Sequence, residues 1–348
     1  MDTAIDWDAA RRRAAALAPP GPKVGRAEAA GLVTVLRTAA REAPAHVAEI
    51  TGLTEAAEQA GTRPVYVVDR ARWAEGNIAM FRELVGDLLP TSAVPGAARL
   101  GAEEMGILLS YLSTKVLGQF DPFTAGDGHL LLVAPNILHV ERQLDLDAID
   151  FRRWVCLHEQ THAVQFAAAP WLKEHLAERI RRTVTTVSDA DRGPQRLGRT
   201  VRALVEALTG PRDAQTTAQT LAGPLVDGFL NADERAQLAE VVAVMSLLEG
   251  HADVVMDAVG PRVLPSVRRI RRQFERRRQG TGTLDVITRR LMGMDAKIAQ
   301  YRDGAGFVRR VVHRVGHDGL AAVWQSAENL PTPAEIADPD TWVRRVHG

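Results

Sequence analysis

A mainly helical fold carrying a small β-sheet is what this sequence predicts, and three observations predict it. Hydrophobic residues make up 46% of the 348 positions and charged residues 25%, the balance of a chain that buries a globular core. Aromatics are only 5%, so the core must be built mostly from alanine, leucine and valine, which favours closely packed helices. Strand character is confined to two short runs, Pro64-Val65-Tyr66-Val67-Val68-Asp69 and His129-Leu130-Leu131-Leu132-Val133-Ala134-Pro135. Both are rich in branched residues and bordered by Gly or Pro.

The elements follow in order. Residues 1–60 read as short helices separated by Pro19-Pro20-Gly21-Pro22 and by Pro44, a lead-in that forms one compact unit with a domain spanning residues 61–348. Helices are expected over residues 73–89 and 101–117, between the two strands. In residues 151–166, Phe151, Trp154, Val155, His158, His162 and Phe166 recur at spacings of three and four, an apolar stripe that includes two histidines. Residues 188–224 are polar and broken by Gly193-Pro194, Gly210-Pro211 and Gly223-Pro224, the pattern of an insertion carrying one helix. A long helix begins at Asn231, capped with Glu234 three positions on, and stops near Ala258 before Gly260-Pro261. Helices over residues 284–301, 307–315 and 320–328 and a short one after Thr332-Pro333 complete the chain.

Charge and cysteine content exclude several classes. Lys+Arg and Asp+Glu are both 43, so no global attraction to nucleic acid or an anionic membrane is expected. The run Arg268 to Arg278 holds seven arginines and reads as a solvated helix face, with an anion-binding patch as the alternative. Cys156 is the single cysteine, which rules out an intrachain disulfide. The acidic N-terminus runs into Arg11-Arg12-Arg13 with no apolar stretch behind it, unlike a secretory signal. No run approaches the ~18–20 apolar residues of a spanning helix. The cytoplasm is the expected compartment.

The chemistry is concentrated in His158-Glu159-Gln160-Thr161-His162. Residues four apart on a helix project from one face, one turn apart, so both imidazoles can bind one zinc ion. Glu159 is rotated about 100° from His158 and falls beside such a metal, where it can take a proton from water and pass it to a leaving amine. A catalytic zinc needs a third protein ligand. Glu249 is the best candidate, because a carboxylate inside the stripe Leu238, Val241, Val242, Met245, Leu248, Ala252, Val255, Met256 and Val259 is costly to bury unless a cation or donor stabilises it. Asp253, one turn later, is placed to accept the free N–H of a ligand histidine. His251 competes for the third place, but it lies about 200° from Glu249 around the axis, so the two cannot reach one metal.

His158-Glu159-x-x-His162 followed by Glu249-x-x-x-Asp253 resembles the gluzincins, in which a distal Glu completes the zinc site. Further segments resemble the actinobacterial and Chloroflexi zincin-like metallopeptidase family, also labelled coenzyme F420 biosynthesis-associated. They are Val68-Asp69-Arg70-x-x-Trp73, Leu131-Leu132-Val133-Ala134-Pro135-Asn136, Trp154-x-x-Leu157-His158-Glu159, Pro170-Trp171-Leu172, Leu248-Glu249-Gly250-His251-Ala252-Asp253 and Lys297-x-x-Gln300-Tyr301. The resemblance implies a zincin-like metallopeptidase fold with one Zn2+ per chain. The F420 label reads as genomic association, since nothing here resembles a deazaflavin-binding loop.

The expected function is therefore a zinc-dependent metallohydrolase, a metallopeptidase with Glu159 as general base and then acid, acting on a peptide or amide. Tyr301 and His251 are the candidate donors to the oxyanion, and residues 129–135 are the candidate edge for an extended substrate. Two rivals stand beside it: a zinc-stabilised structural or regulatory protein without activity, and a small-molecule amidohydrolase.

Overall fold

The computed structural model describes residues 2–3, 5–89, 91–92, 96–124, 126–189, 232–279 and 304–348. In chain order the first half contains β1 (Asp2–Thr3), α1 (Trp7–Leu17), α2 (Arg26–Thr51), α3 (Thr54–Gly61), β2 (Val65–Val68), α4 (Arg70–Val85), β3 (Thr91–Ser92) and α5 (Ala97–Leu112). Then come β4 (Gly118–Asp121), β5 (His129–Val133), α6 (Ala134–Gln143), α7 (Ala148–Ala168) and α8 (Leu172–Asp189). The remainder is α9 (Ala232–Ala258), α10 (Gly260–Val263), α11 (Val267–Gln279), α12 (Gly304–Leu320), two 3₁₀ turns, α13 (Pro333–Ala337) and α14 (Pro339–His347). The mainly helical expectation is met. Among the described residues, no helix is long and apolar enough to cross a membrane.

The main sheet has the order β2-β5-β4. β2 and β5 are parallel, with Val65 opposite Leu130 and Val68 opposite Val133, and their crossover runs through α4 and α5. β4 is antiparallel to β5, with Gly118 opposite Leu132 and Asp121 opposite His129. The strand read from residues 129–135 is thus the central one, and it ends at Val133 because Pro135, lacking an N–H, suits the first turn of α6. An interior strand cannot receive a substrate along its edge. The edge strand on that side is β4, which four residues of Gly-Gln-Phe-Asp without alternation did not announce.

A second difference lies in α2. Pro44 was expected to break a helix, yet it sits buried inside a 26-residue one. Proline cannot bond the carbonyl four residues back, here that of Ala40. Gln160 of α7 donates its side-chain amide to that carbonyl at 2.9 Å, so the missing backbone bond is replaced from the neighbouring helix.

α7 is where the layers meet. Its N-terminus is capped by Asp147, which accepts from the Asp150 amide, and it packs against α2, α3, β4, β5 and α9. Burial on nearly every side follows, with Phe151, Cys156, Gln160, His162 and Gln165 all inside, so the expected single apolar stripe is a belt. α9 crosses α12 closely. A Cβ on Gly250 would lie 2.1 Å from the Gly304 carbonyl carbon, and one on Gly304 would lie 1.8 Å from the Ser246 oxygen. Only glycine at both positions allows that approach. The two C-terminal helices expected over residues 307–315 and 320–328 appear as α12, kinked at Gly316 (φ 74°), and the 3₁₀ turns Ala321–Trp324 and Ala327–Asn329.

The arginine run is partly drawn into the fold. Arg271 pairs with Asp253 and Asp257, and Arg269 pairs with Asp145 at 2.6 Å. Neither arginine is a bare solvated charge.

Candidate metal centre

Two helices bring three donors to one point. His158 and His162 come from α7 and Glu249 from α9, and their ligand atoms all lie within 4.8 Å of one another. The His158 and His162 Nε2 atoms are 3.3 Å apart. Glu249 spans both, with Oε2 3.4 Å from His158 Nε2 and Oε1 3.5 Å from His162 Nε2. His162 and Glu249 are buried, and His158 is only partly reached by solvent. Two imidazole nitrogens and a carboxylate oxygen converging in this way are the donor set of a catalytic zinc, so the chain's residues fit that ion.

The second atom of each ring is also held. His162 Nδ1 lies 2.9 Å from Gln165 Oε1, and His158 Nδ1 lies 3.1 Å from Met256 Sδ. Burial alone would disfavour the charged form of His158, but its hydrogen bond to Glu249 and the carboxylates of Glu249, Glu159 and Asp253 outweigh it and raise the pKa.

Glu159 is buried at the base of the edge strand. A Cβ on Gly118 would stand 2.6 Å from Glu159 Cγ and 2.8 Å from its Cδ, so glycine at the first position of β4 makes the room that Glu159 occupies. Gly118 was not singled out from the sequence, because no spacing rule links it to the motif. Burial and the Glu159 charge push the Cys156 thiol up, which leaves it unreactive.

The rival ligand His251 is placed elsewhere. It is buried, its Nδ1 lies 2.9 Å from Gln165 Nε2, and its ring stands edge-on to Trp324 at 5.3 Å. Burial and the nearby His317 lower its pKa to about 3, so it is a neutral ring. Asp253 also departs from expectation. Its carboxylate meets Arg271 Nη1 at 3.1 Å, and its carbonyl accepts from Arg271 Nη2 at 2.7 Å, while the Nδ1 atoms of His158 and His162 face Met256 and Gln165 instead. Tyr301 and its helix, most of the 188–224 segment and the start of the Asn231 helix lie outside the described residues.

Beside the donors is an apolar cavity of about 30 Å³ lined by Met80, Phe120, Phe166, Leu176, Met245 and Leu248, with His162, Glu249 and Gln119 as polar members of the wall. Gln119 is tied to Asn77 by paired amide bonds of 3.0 Å, so its polarity is spent within the wall.

A family model described as zincin-like metallopeptidase matches residues 5–343. A crystal structure from Chloroflexus aurantiacus, reported as a hydrolase candidate with a novel fold, is similar at 31% identity and a TM-score of 0.62, over 98% of this chain and 98% of its own. Among curated proteins none matches.

Proposed function

The chain belongs to the zincin-like metallopeptidase family, and from that premise we propose that it is a zinc-dependent peptidase in which His158, His162 and Glu249 hold one Zn2+ and Glu159 moves the protons. The observation that carries this reading is the convergence of exactly those three donor side chains from two helices, with Glu159 on the turn between the histidines. Zinc bound there supplies Lewis-acid polarisation of a carbonyl and makes water acidic enough to ionise near neutral pH.

Everything else is done by the chain. The Glu159 carboxylate accepts a proton from the attacking water and delivers it to the leaving nitrogen. Glu159 occupies the room that Gly118 leaves between α7 and β4, near enough to His158 for its charge to raise that ring's pKa. The family description, zincin-like metallopeptidase, favours a peptide over a small amide as the substrate. Among the described residues the donor set has three protein groups, rather than the four of a structural zinc, which favours an enzyme over a zinc-stabilised scaffold.

The test is Glu159→Gln. The variant retains about one zinc per chain while hydrolysis of a peptide mixture falls by roughly 10²–10⁴-fold. Hydrolysis at the wild-type rate would remove Glu159 as the base, and a wild-type protein that takes up no zinc would end the reading altogether.

A further inference from the structure

We infer that Gln165 is a positioning residue for the metal centre: it fixes the tautomer of His162 and ties together the two helices that supply the donors. The inference rests on the preceding reading only in naming His162 and Glu249 as ligands.

The orientation of the Gln165 amide follows from a backbone atom. One of its terminal atoms lies 2.9 Å from the Leu248 carbonyl oxygen. A carbonyl only accepts, so that atom must be the NH2 group, and its second hydrogen points to His251 Nδ1 at 2.9 Å. The other terminal atom, 2.9 Å from His162 Nδ1, is then the oxygen. An amide oxygen accepts, so His162 carries its proton on Nδ1. Nε2 is thereby the lone-pair atom, and it is the atom 3.3 Å from His158 Nε2 and 3.5 Å from Glu249.

The same side chain acts on α9. Leu248 immediately precedes Glu249, so the Gln165–Leu248 bond sets the height of the third donor against α7. His251 holds the remaining amide hydrogen as a neutral acceptor, which gives it a role that does not involve touching the metal. Gln165 is fully buried, and all its polar atoms are engaged by these contacts, so it has one available orientation. Ligand histidines usually give their second N–H to a carboxylate, carbonyl or water; here an amide does this and also reaches the partner helix.

Nitrogen NMR of the imidazoles, on metal-free wild-type protein at alkaline pH, tests the tautomer directly. His162 is expected as the Nδ1–H form. The Nε2–H form, which dominates free histidine, would overturn the inference. In Gln165→Leu the Nδ1–H preference should be lost and zinc affinity, measured by chelator competition, should weaken by about 10–100-fold. Gln165→Glu keeps an oxygen facing His162 and should keep the Nδ1–H form, a rescue that a merely space-filling role would not produce. Zinc affinity of Gln165→Leu within about threefold of wild type would also overturn the inference, whatever its melting temperature. Should Gln165→Leu not fold, the wild-type tautomer still decides. Absence of zinc binding by wild type would refute the peptidase reading while leaving the tautomer measurement to stand by itself.

Discussion

The two helices that build the centre contribute in different ways. α7 supplies two candidate donors and the proposed proton carrier within five consecutive residues, and neighbouring polar side chains have separate structural tasks. Gln160 replaces the backbone bond that Pro44 cannot make, and Gln165 reaches across to α9. α9 instead presents three candidate groups, Glu249, His251 and Asp253, within two turns, and only the first meets the histidines. Spacing on one helix determines which residues share a face. Which group on a second helix turns inward is decided by what each competitor bonds instead.

The largest effect should come from breaking that division on α9. Glu249→Ala removes a donor and is expected to weaken zinc binding by more than the roughly 10–100-fold seen when a group behind a ligand is lost. His251→Ala only removes the acceptor for one amide hydrogen and should stay within or below that range. Metal titration of both variants against a chelator reads the order, and a reversed order would make His251 the third ligand.

On α7 the corresponding test is steric. Gly118→Ala drives a methyl into Glu159, with overlaps at 2.6 and 2.8 Å, and a misplacement of about 1 Å in a catalytic group can cost ~10²-fold in rate. The variant should keep its zinc and lose kcat, with KM little changed. A smaller effect is expected from Gln160→Leu, which leaves the Ala40 carbonyl buried without a donor. It should lower stability by about 1–3 kcal/mol in denaturant titrations without altering the metal stoichiometry. Zinc loss in that variant would show that α2 steers the donors as well as supporting their helix.

The legible part of the molecule was what repeats locally. The periodicity of residues 151–166, the buried Glu249 on an apolar stripe and the two branched strands all report on a single element and could be read from it. What stayed hidden depends on contacts between distant segments. β4 has neither alternation nor length, and is a strand because β5 pairs with it. Pro44 reads as a breaker until Gln160, far along the chain, takes over the carbonyl of Ala40. Gln165 does share the face of His162, three residues on, and that spacing was the one available hint; its partners Leu248 and His251 are visible only once α9 is laid against α7. Asp253 was misplaced for the same reason. Helix geometry puts it one turn beyond Glu249, but nothing local indicates that Arg271 folds back onto it.

Asp253 therefore gives the finest test of the comparison. Its carboxylate and carbonyl both bond Arg271, and the two side chains are about one-fifth exposed, so the pair anchors α11 to α9 in a partly screened setting. Its charge reaches His158 only through space, as the last of the influences that raise that pKa. Asp253→Asn keeps the shape and loses the charge. Stability should fall by about 1 kcal/mol or less, the range of a partly exposed ion pair, and zinc affinity should change by less than threefold, a bound well under the roughly tenfold minimum expected for a residue that orients a ligand. Arg271→Met should lower stability by at least as much, since it also loses Asp257 and the bond to the Asp253 carbonyl. Were Asp253→Asn instead to weaken zinc tenfold while Arg271→Met did not, the carboxylate would be turning toward His158 when the metal binds, and α9 would supply a ligand and its support from one face after all.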